Sequence, residues 1–276
     1  METHLKLVRL LADGHYHSGA ALAEQLGLSR AAVWKAAPKA GGRLGLTIES
    51  RRGTGYRLSE PLELLDPARF LGALSHPAHS HIARLEIFDD IDSTNAHLLA
   101  AGHAGAPSGT LCLAERQSAG RGRRGRTWVS PYGANLYLSL LWRFPQGPGH
   151  LGGLSLAVGA ALAQALEAAG VAGIGLKWPN DLLWQRRKLG GLLIEAGLSG
   201  SPPRPRARAG WSSAWGSTPA CAASKPRAST SPGLTWTRSS APRVIAAIAS
   251  PPWRPRPWSP PWNATAGKAW PPSCRF

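Results

Sequence analysis

The chain has 276 residues, 43% of them hydrophobic, which is enough for one large domain or two to three small ones around a sizeable core. No apolar run is long enough to span a bilayer, and the charged amphipathic stretch from Met1 to Asp13 does not read as a secretory leader. Three scattered cysteines exclude a disulfide framework and a zinc site, so the expected setting is a reducing cytoplasm, with no membrane partner and no protein-held metal centre. The net charge of +17 points to an anionic partner, but eleven Lys and Arg and no acidic residue follow Leu198, so the charge is unevenly spread.

Residues 1–62 read as a winged helix-turn-helix DNA-binding domain. Leu5, Leu7, Val8, Leu10 and Leu11 mark a short helix. Ser18 caps a second helix with Ala21, Leu22, Ala23 and Leu26, and Gly27 makes the turn. Ser29 caps a third helix with Ala32, Val33 and Trp34. Arg30 and Lys35 lie on this third helix, where side chains can reach a groove. Pro38 is expected to kink or end it, because proline lacks the N–H that the helix needs. Leu46 to Ser50 and Tyr56 to Leu58 read as strands around the turn Arg51-Arg52-Gly53-Thr54-Gly55, which makes a basic wing. Ser29, Arg30, Lys35, Arg51 and Arg52 are the expected DNA contacts. A small helical cap with no DNA role is the bland alternative.

Residues 63–80 are expected to be a linker, opening in the segment from Pro61 to Pro67. Arg84 to Phe88 then reads as a strand, and Ser93 or Thr94 caps a helix with Ala96, Leu98, Leu99 and Ala100. Thr110 to Ala114 is a buried strand, and Asn135 to Trp142 alternates like a sheet strand. Leu154 to Ala169 is a long apolar helix ended by Gly170. Gly175 to Trp178, Leu182 to Trp184 and Leu192 to Glu195 are strands, the last two joined by the basic turn Arg186-Arg187-Lys188. Mixed strands with two or three helices predict an α+β layer.

Two constellations carry chemistry. Gly120, Gly122 and Gly125 alternate with Arg121, Arg123, Arg124 and Arg126. Glycines let backbone amides approach an anion, and guanidiniums bind phosphate in a forked geometry. Alone, this loop fits a solvated basic patch equally well. Lys177 closes an apolar strand beside Trp178 and Pro179, and is expected near a partly buried cleft, where it could donate to a reacting acyl phosphate. Trp128 reads either as a platform for a purine or as a core residue.

Ser93-Thr94-Asn95, Gln117, the Gly120 to Arg126 loop with Trp128, Lys177-Trp178-Pro179-Asn180-Asp181 and Lys188-Leu189-Gly190-Gly191 together resemble the biotin protein ligase family. The resemblance runs from about Met1 to Gly197, and the winged helix resembles the bifunctional members that also repress biotin genes. It implies a central mixed-sheet ligase domain of the biotin/lipoate type over residues 81–197. The implied substrates are biotin and ATP with Mg²⁺, and the implied product is biotinyl-5′-AMP, which acylates a lysine of a biotin carboxyl carrier protein. The implied partners are that carrier, operator DNA and a second copy in a homodimer. Arg121, Arg123 and Lys177 would be catalytic. Ser93, Thr94, Asn95, Gln117, Gly120 to Arg126, Trp128, Lys177, Asn180, Asp181, Lys188, Gly190 and Gly191 would hold biotin and the adenylate. A DNA-binding regulator with a catalytically dead biotin sensor is a second reading, and a lipoate-type ligase a third.

After Glu195 the family pattern, a strand and glycine-rich turn followed by a small barrel, is replaced by Pro-, Arg-, Trp- and Ser-rich text. Read one base back, the codons of Trp211 to Thr218 can spell Val-Val-Val-Gly-Leu-Gly-Val-Asn, which has the form of the missing motif. A frameshift between about Gly197 and Ser201 is therefore expected, with residues 198–276 an aberrant, disordered tail and the barrel lost.

Overall fold

The computed structural model describes residues 3–144, 151–198 and 207–215, with the backbone alone for 196–198 and 207–215. The first unit is α1 (Thr3–Leu10), α2 (Gly19–Leu26), α3 (Arg30–Leu44), β1 (Ile48–Arg51) and β2 (Gly55–Leu58). Ser18 Oγ accepts from the Ala21 N–H at 3.1 Å and Ser29 Oγ from the Ala32 N–H at 3.2 Å, so both predicted caps form. Gly27, at φ 64°, ends α2 in the left-handed conformation that a β-carbon disfavours. Leu5, Leu7, Val8, Leu11, Leu22 and Val33 interdigitate as the core of this unit. β1 and β2 pair antiparallel, with Ile48 opposite Leu58. The wing is tied to the start of α2 by the His17–Tyr56 bridge. Gly55 makes that approach feasible, since a β-carbon there would lie 1.9 Å from the His17 carbonyl oxygen.

Pro38 neither ends nor divides α3, contrary to the sequence expectation. Ala37, Ala40, Gly41 and Leu44 are buried on both sides of it, and this tertiary packing holds the helix through the lost hydrogen bond. The cost falls on the Trp34 carbonyl, which has no donor at the position four residues on. Pro38→Ala restores that donor and is expected to raise stability by about 2 kcal/mol, read as the midpoint of denaturant unfolding.

The stretch expected to be a linker is folded. Asp66 Oδ1 accepts from the Arg69 N–H at 2.7 Å and Pro67 occupies the first turn, so α4 (Pro67–Gly72) starts there. α5 (His76–Ser80) follows. Phe70 of α4 is buried in the main core, and the Leu65 N–H donates to Glu115 Oε1.

The second unit is a seven-stranded mixed sheet. Its elements are β3 (Arg84–Phe88), α6 (Thr94–His103), β4 (Thr110–Ala114), β5 (Leu136–Phe144), α7 (Leu154–Ala168), β6 (Ile174–Lys177), β7 (Asp181–Trp184), β8 (Arg187–Leu198) and β9 (Ala207–Trp215). The spatial order is β3-β4-β5-β9-β8-β7-β6. Only β3 and β4 are parallel, joined by the α6 crossover. Alternation sorts the two faces. Leu111, Leu113, Leu136, Leu138 and Leu140 meet Val158, Leu162 and Leu166 of α7, while Cys112 and Leu141 meet Leu98 of α6. The strand β9 lies in the segment whose composition predicts none. Its backbone pairs with β5 from Leu136 to Phe144 and with β8 from Gly190 to Leu198. Main-chain ladders of this kind need no particular side chains, which is why composition did not foretell it. The remainder of the tail, beyond Trp215, lies outside the described residues.

The two units touch. Arg9 Nε donates to Asp89 Oδ1 at 2.7 Å, and Tyr132 Oη donates to the same oxygen at 3.0 Å. Tyr132, from the second unit, is 1% exposed and packs in the core of the first. Burial, with Asp89 next in weight, pushes its phenol well above the ordinary tyrosine range. Burial likewise raises the Cys112 thiol far above its usual value. Both groups must stay neutral in the folded chain. Their contribution is therefore complete below the ordinary values, about 8.5 for Cys and 10 for Tyr, and is lost as pH rises above them. Thermal melts are expected to be flat between about pH 6 and 8 and to fall steeply above about pH 10, with Tyr132→Phe removing the steeper part.

Candidate functional site

The C-terminal ends of β3 and β4 lead into two loops that build the site. After β3, Asp92 Oδ1 accepts from the Ser93 N–H at 2.6 Å, and Ser93 Oγ caps α6 through the Ala96 N–H at 3.3 Å. Thr94 and Asn95 then open the helix fully buried. After β4, Gln117 turns inward. Its Oε1 accepts from the Thr94 backbone at 2.9 Å and from Thr94 Oγ1 at 3.0 Å. With its one proton so used, Thr94 Oγ1 accepts from Ser139 Oγ at 2.8 Å. Asn95 Nδ2 donates to Glu195 on β8. A hydrogen-bonded polar floor thus links α6, the loop after β4, β5 and β8.

The arginine-glycine loop is a small hairpin. Arg121 bridges Thr127, the Gly122 N–H donates to the Arg126 carbonyl at 2.7 Å, and the Trp128 N–H donates to the Gly120 carbonyl at 2.9 Å. Arg124 sits at the tip with φ 58°, followed by Gly125 at φ 71°. Arg121, Arg123, Arg124 and Arg126 are all exposed, so the hairpin presents four guanidiniums. Arg123 Nη1 crosses to Asn180 Oδ1 at 3.1 Å. Asn180 is itself clamped to β8, donating Nδ2 to the Leu192 carbonyl at 3.0 Å.

Between hairpin and sheet lies a cleft of about 380 Å³ lined by Gln117, Arg121 to Arg124, Arg126, Trp128, Asn180, Asp181, Lys188 and Gly191. Lys188 Nζ pairs with Asp181 at 2.8 Å and stands 5.1 Å from the Trp128 ring centroid. The indole lies against Gly191 of β8, where a β-carbon would be in ordinary van der Waals contact with two ring atoms at 3.4 Å. Among the described residues, Asn95 Oδ1 and Trp128 Nε1 are buried polar atoms without a hydrogen-bond partner. Of the two, Trp128 lines the cleft, so its N–H is a donor available to a polar ligand there.

The sequence-predicted residues divide accordingly. Gln117, the arginines, Gly122, Trp128, Asn180, Asp181, Lys188 and Gly191 meet at the cleft. Thr94 supports the cleft through its two bonds to Gln117, while Ser93 caps α6 and Asn95 ties it to Glu195, neither lining the cleft. Gly120 is a buried hinge of the hairpin and Gly190 is buried within β8, neither lining the cleft. Lys177 is a correction. It is exposed rather than beside a partly buried cleft, because β6 is the outer edge of the sheet. Its backbone pairs with Asp181, one ladder step from the cleft wall. Sequence reasoning missed Ser139 and the Glu195 carboxylate, which respectively donate to Thr94 and accept from Asn95 within the floor. The one signal for Ser139 is a serine interrupting the apolar strand Leu136–Phe144.

The DNA-facing candidates lie on a second surface. Ser29 is occupied by its capping bond. Arg30, Arg51 and Arg52 line a shared concavity between α3 and the wing, and Lys35 lines a neighbouring one. Among the described residues no helix is long and apolar enough to cross a membrane, and no group of three or more His, Cys, Asp or Glu could hold a metal ion.

Residues 87–201 match the biotin/lipoate A/B protein ligase family, and residues 3–57 match the HTH domain. The chain is similar to the bifunctional ligase/repressor BirA of Escherichia coli (strain K12), with 47% identity over 192 residues, 69% of this chain and 57% of that protein. It is similar to the bifunctional ligase/repressor BirA of Bacillus subtilis (strain 168), with 34% identity over 185 residues, 67% of this chain and 56% of that protein. Among solved structures, a biotin protein ligase from Aquifex aeolicus in complex with biotin and ATP is 34% identical, covering 48% of this chain and 52% of that one, with a TM-score of 0.40. The chain spans a little over half the length of the curated relatives that it matches. Through its central domain, with a helix-turn-helix domain ahead of it, the chain belongs to the biotin/lipoate A/B protein ligase family.

Proposed function

We propose that the chain is an ATP-dependent biotin ligase that also binds operator DNA as a biotin-dependent repressor. The observation that carries the ligase reading is the cleft itself, in which four guanidiniums and an indole close over a buried polar floor. In the first step a biotin carboxylate oxygen attacks the α-phosphorus of ATP and pyrophosphate leaves. In the second, a lysine amine of a biotin carboxyl carrier protein attacks the acyl carbon, AMP leaves and one proton is released. Arg121 and Arg123 neutralise charge developing on the phosphates, and Trp128 packs on the purine. Lys177 starts one ladder step from Asp181, so its long stem can bring Nζ to the acyl phosphate. Mg²⁺ fits as a companion of the nucleotide, since it is commonly held by phosphate oxygens and one or two carboxylates. Asp181 is the one carboxylate among the residues lining the cleft.

Biotin-dependent ATP–pyrophosphate exchange by the full chain, followed by mass analysis of a purified carrier, tests this. Exchange and a carrier heavier by one biotinyl group support it, while neither at saturating substrates overturns it. Competition with lipoate separates the two ligase types. The exposure of Lys177 favours one second reading, a regulator whose ligase domain only senses biotin. That reading expects biotin-dependent operator binding without exchange. Pairs of winged helices commonly read two-fold sites, so a homodimer is part of the repressor proposal.

The off-frame tail belongs to the same proposal. β9 covers Ala207–Trp215, which includes most of the residues whose shifted codons can spell the family strand. Resequencing the coding DNA across codons 190 to 276 decides it: one base lost or gained supports the frameshift, and an intact frame overturns it.

A further inference from the structure

We infer that Trp34 is the base-reading side chain of the winged helix, placing its indole face on a thymine methyl group in the major groove of a DNA duplex. The inference rests on the DNA-binding reading above and adds to it the residue that carries sequence selectivity. Val33, Ala37, Ala40 and Leu44 fix the inner face of α3 in the core. Trp34 is thereby turned outward and is 64% exposed. Arg30 lies one turn before it on the same row. In the first two turns of α3 the exposed side chains are Arg30, Ala31, Trp34 and Lys35.

Trp34 forms the wall between two concavities. One runs from Arg30 to the wing residues Arg51 and Arg52, and the other runs past Lys35 and Lys39. No acidic side chain lines either. Cationic walls on both sides suit a polyanion, and such contacts set position without reading sequence. An indole on that ridge has a different use. Its faces are apolar, and the thymine C5-methyl is the apolar group that base edges offer in the major groove. A single exposed aromatic is ordinary on any surface; what sets Trp34 apart is its position, shared by two concavities that carry Arg30, Arg51 and Arg52 on one side and Lys35 and Lys39 on the other.

The test uses the full chain and a randomised duplex pool at physiological salt. The selected duplex is then compared with versions carrying deoxyuridine at each thymine, which removes only the methyl. The wild type is expected to lose about fourfold in affinity at one or two thymines, the value of one buried methyl group. Trp34→Ala should bind the selected duplex about tenfold more weakly, the scale of one lost base contact, and should ignore deoxyuridine. Its affinity for random duplex, and the salt dependence of that affinity, should not change. Trp34→Phe should keep part of the selectivity. Far-ultraviolet dichroism of both variants checks the fold. Undiminished affinity of Trp34→Ala for the selected duplex, or an unchanged response to deoxyuridine, overturns the inference and leaves DNA binding standing. A Trp34→Ala change in oligomeric mass without a change in DNA affinity also overturns it, marking a protein contact instead. If the wild type retains no duplex at all, the DNA-binding reading fails first and this inference falls with it.

Discussion

Replacing Gly120 with valine is expected to abolish biotin-dependent pyrophosphate exchange while leaving the winged helix folded. A β-carbon at this position would lie 2.8 Å from the Trp128 carbonyl oxygen, 2.9 Å from Ser130 Oγ and 3.3 Å from Gln117 Nε2. The first of these is backbone and cannot swing aside. The hairpin depends on the bond from the Trp128 N–H to the Gly120 carbonyl, so the strand would separate there. Both Trp128 and the Gln117 amide would shift, and with them the ring platform and the floor bond to Thr94. Overpacking of this kind costs about 1–3 kcal/mol. The loss of exchange should be at least a hundredfold, because misplacement by about 1 Å is enough for that. Titration of exchange activity beside circular dichroism checks both halves. Full activity in Gly120→Val would mean that the hairpin does not organise the site.

Lys177→Ala is expected to lower adenylate formation by about 10²–10³-fold with no change in unfolding midpoint, the scale of one lost electrostatic contact to a transition state. Stability should hold because the side chain is exposed on the outer edge strand of the sheet. Lys188→Ala provides the contrast. Lys188 is paired with Asp181 and faces the Trp128 ring, so its loss should disturb nucleotide binding and raise KM for ATP more than it lowers kcat. Single-turnover formation of the adenylate separates the two. Equal effects of both substitutions on kcat would overturn the division between a catalytic Lys177 and a nucleotide-binding Lys188.

Most elements follow from local rules alone. Serine caps, Gly27 and the period of the apolar residues marked α2, α3 and α6, and alternation marked β4 and β5. Failures occurred where tertiary context overrode a local preference. Pro38 sits in α3 because Ala37 and Ala40 anchor the helix around it, and residues 67–80 fold because Phe70 has a core to enter. At the site, spacing identified the arginine hairpin and Asn180, but not that Arg123 and Asn180 meet across 57 positions of sequence. Nor could it place Lys177 on an edge strand, since strand order in a sheet is not written in the order of strands along the chain.

That strand order has a consequence for synthesis. β3, β4 and β5 form one half-sheet and β8, β7 and β6 another, and the strand that hydrogen-bonds them together is β9, the last in sequence among the described strands. The cleft straddles the seam, with the arginine hairpin on one half and Asn180, Asp181 and Lys188 on the other. A nascent chain that has left the ribosome as far as β8 therefore carries two open edges at the seam, each a template for pairing with another chain. Until Ala207–Trp215 emerges, the cleft is two separate surfaces on a growing polypeptide, and its two walls are joined into one sheet only when that strand has paired on both sides.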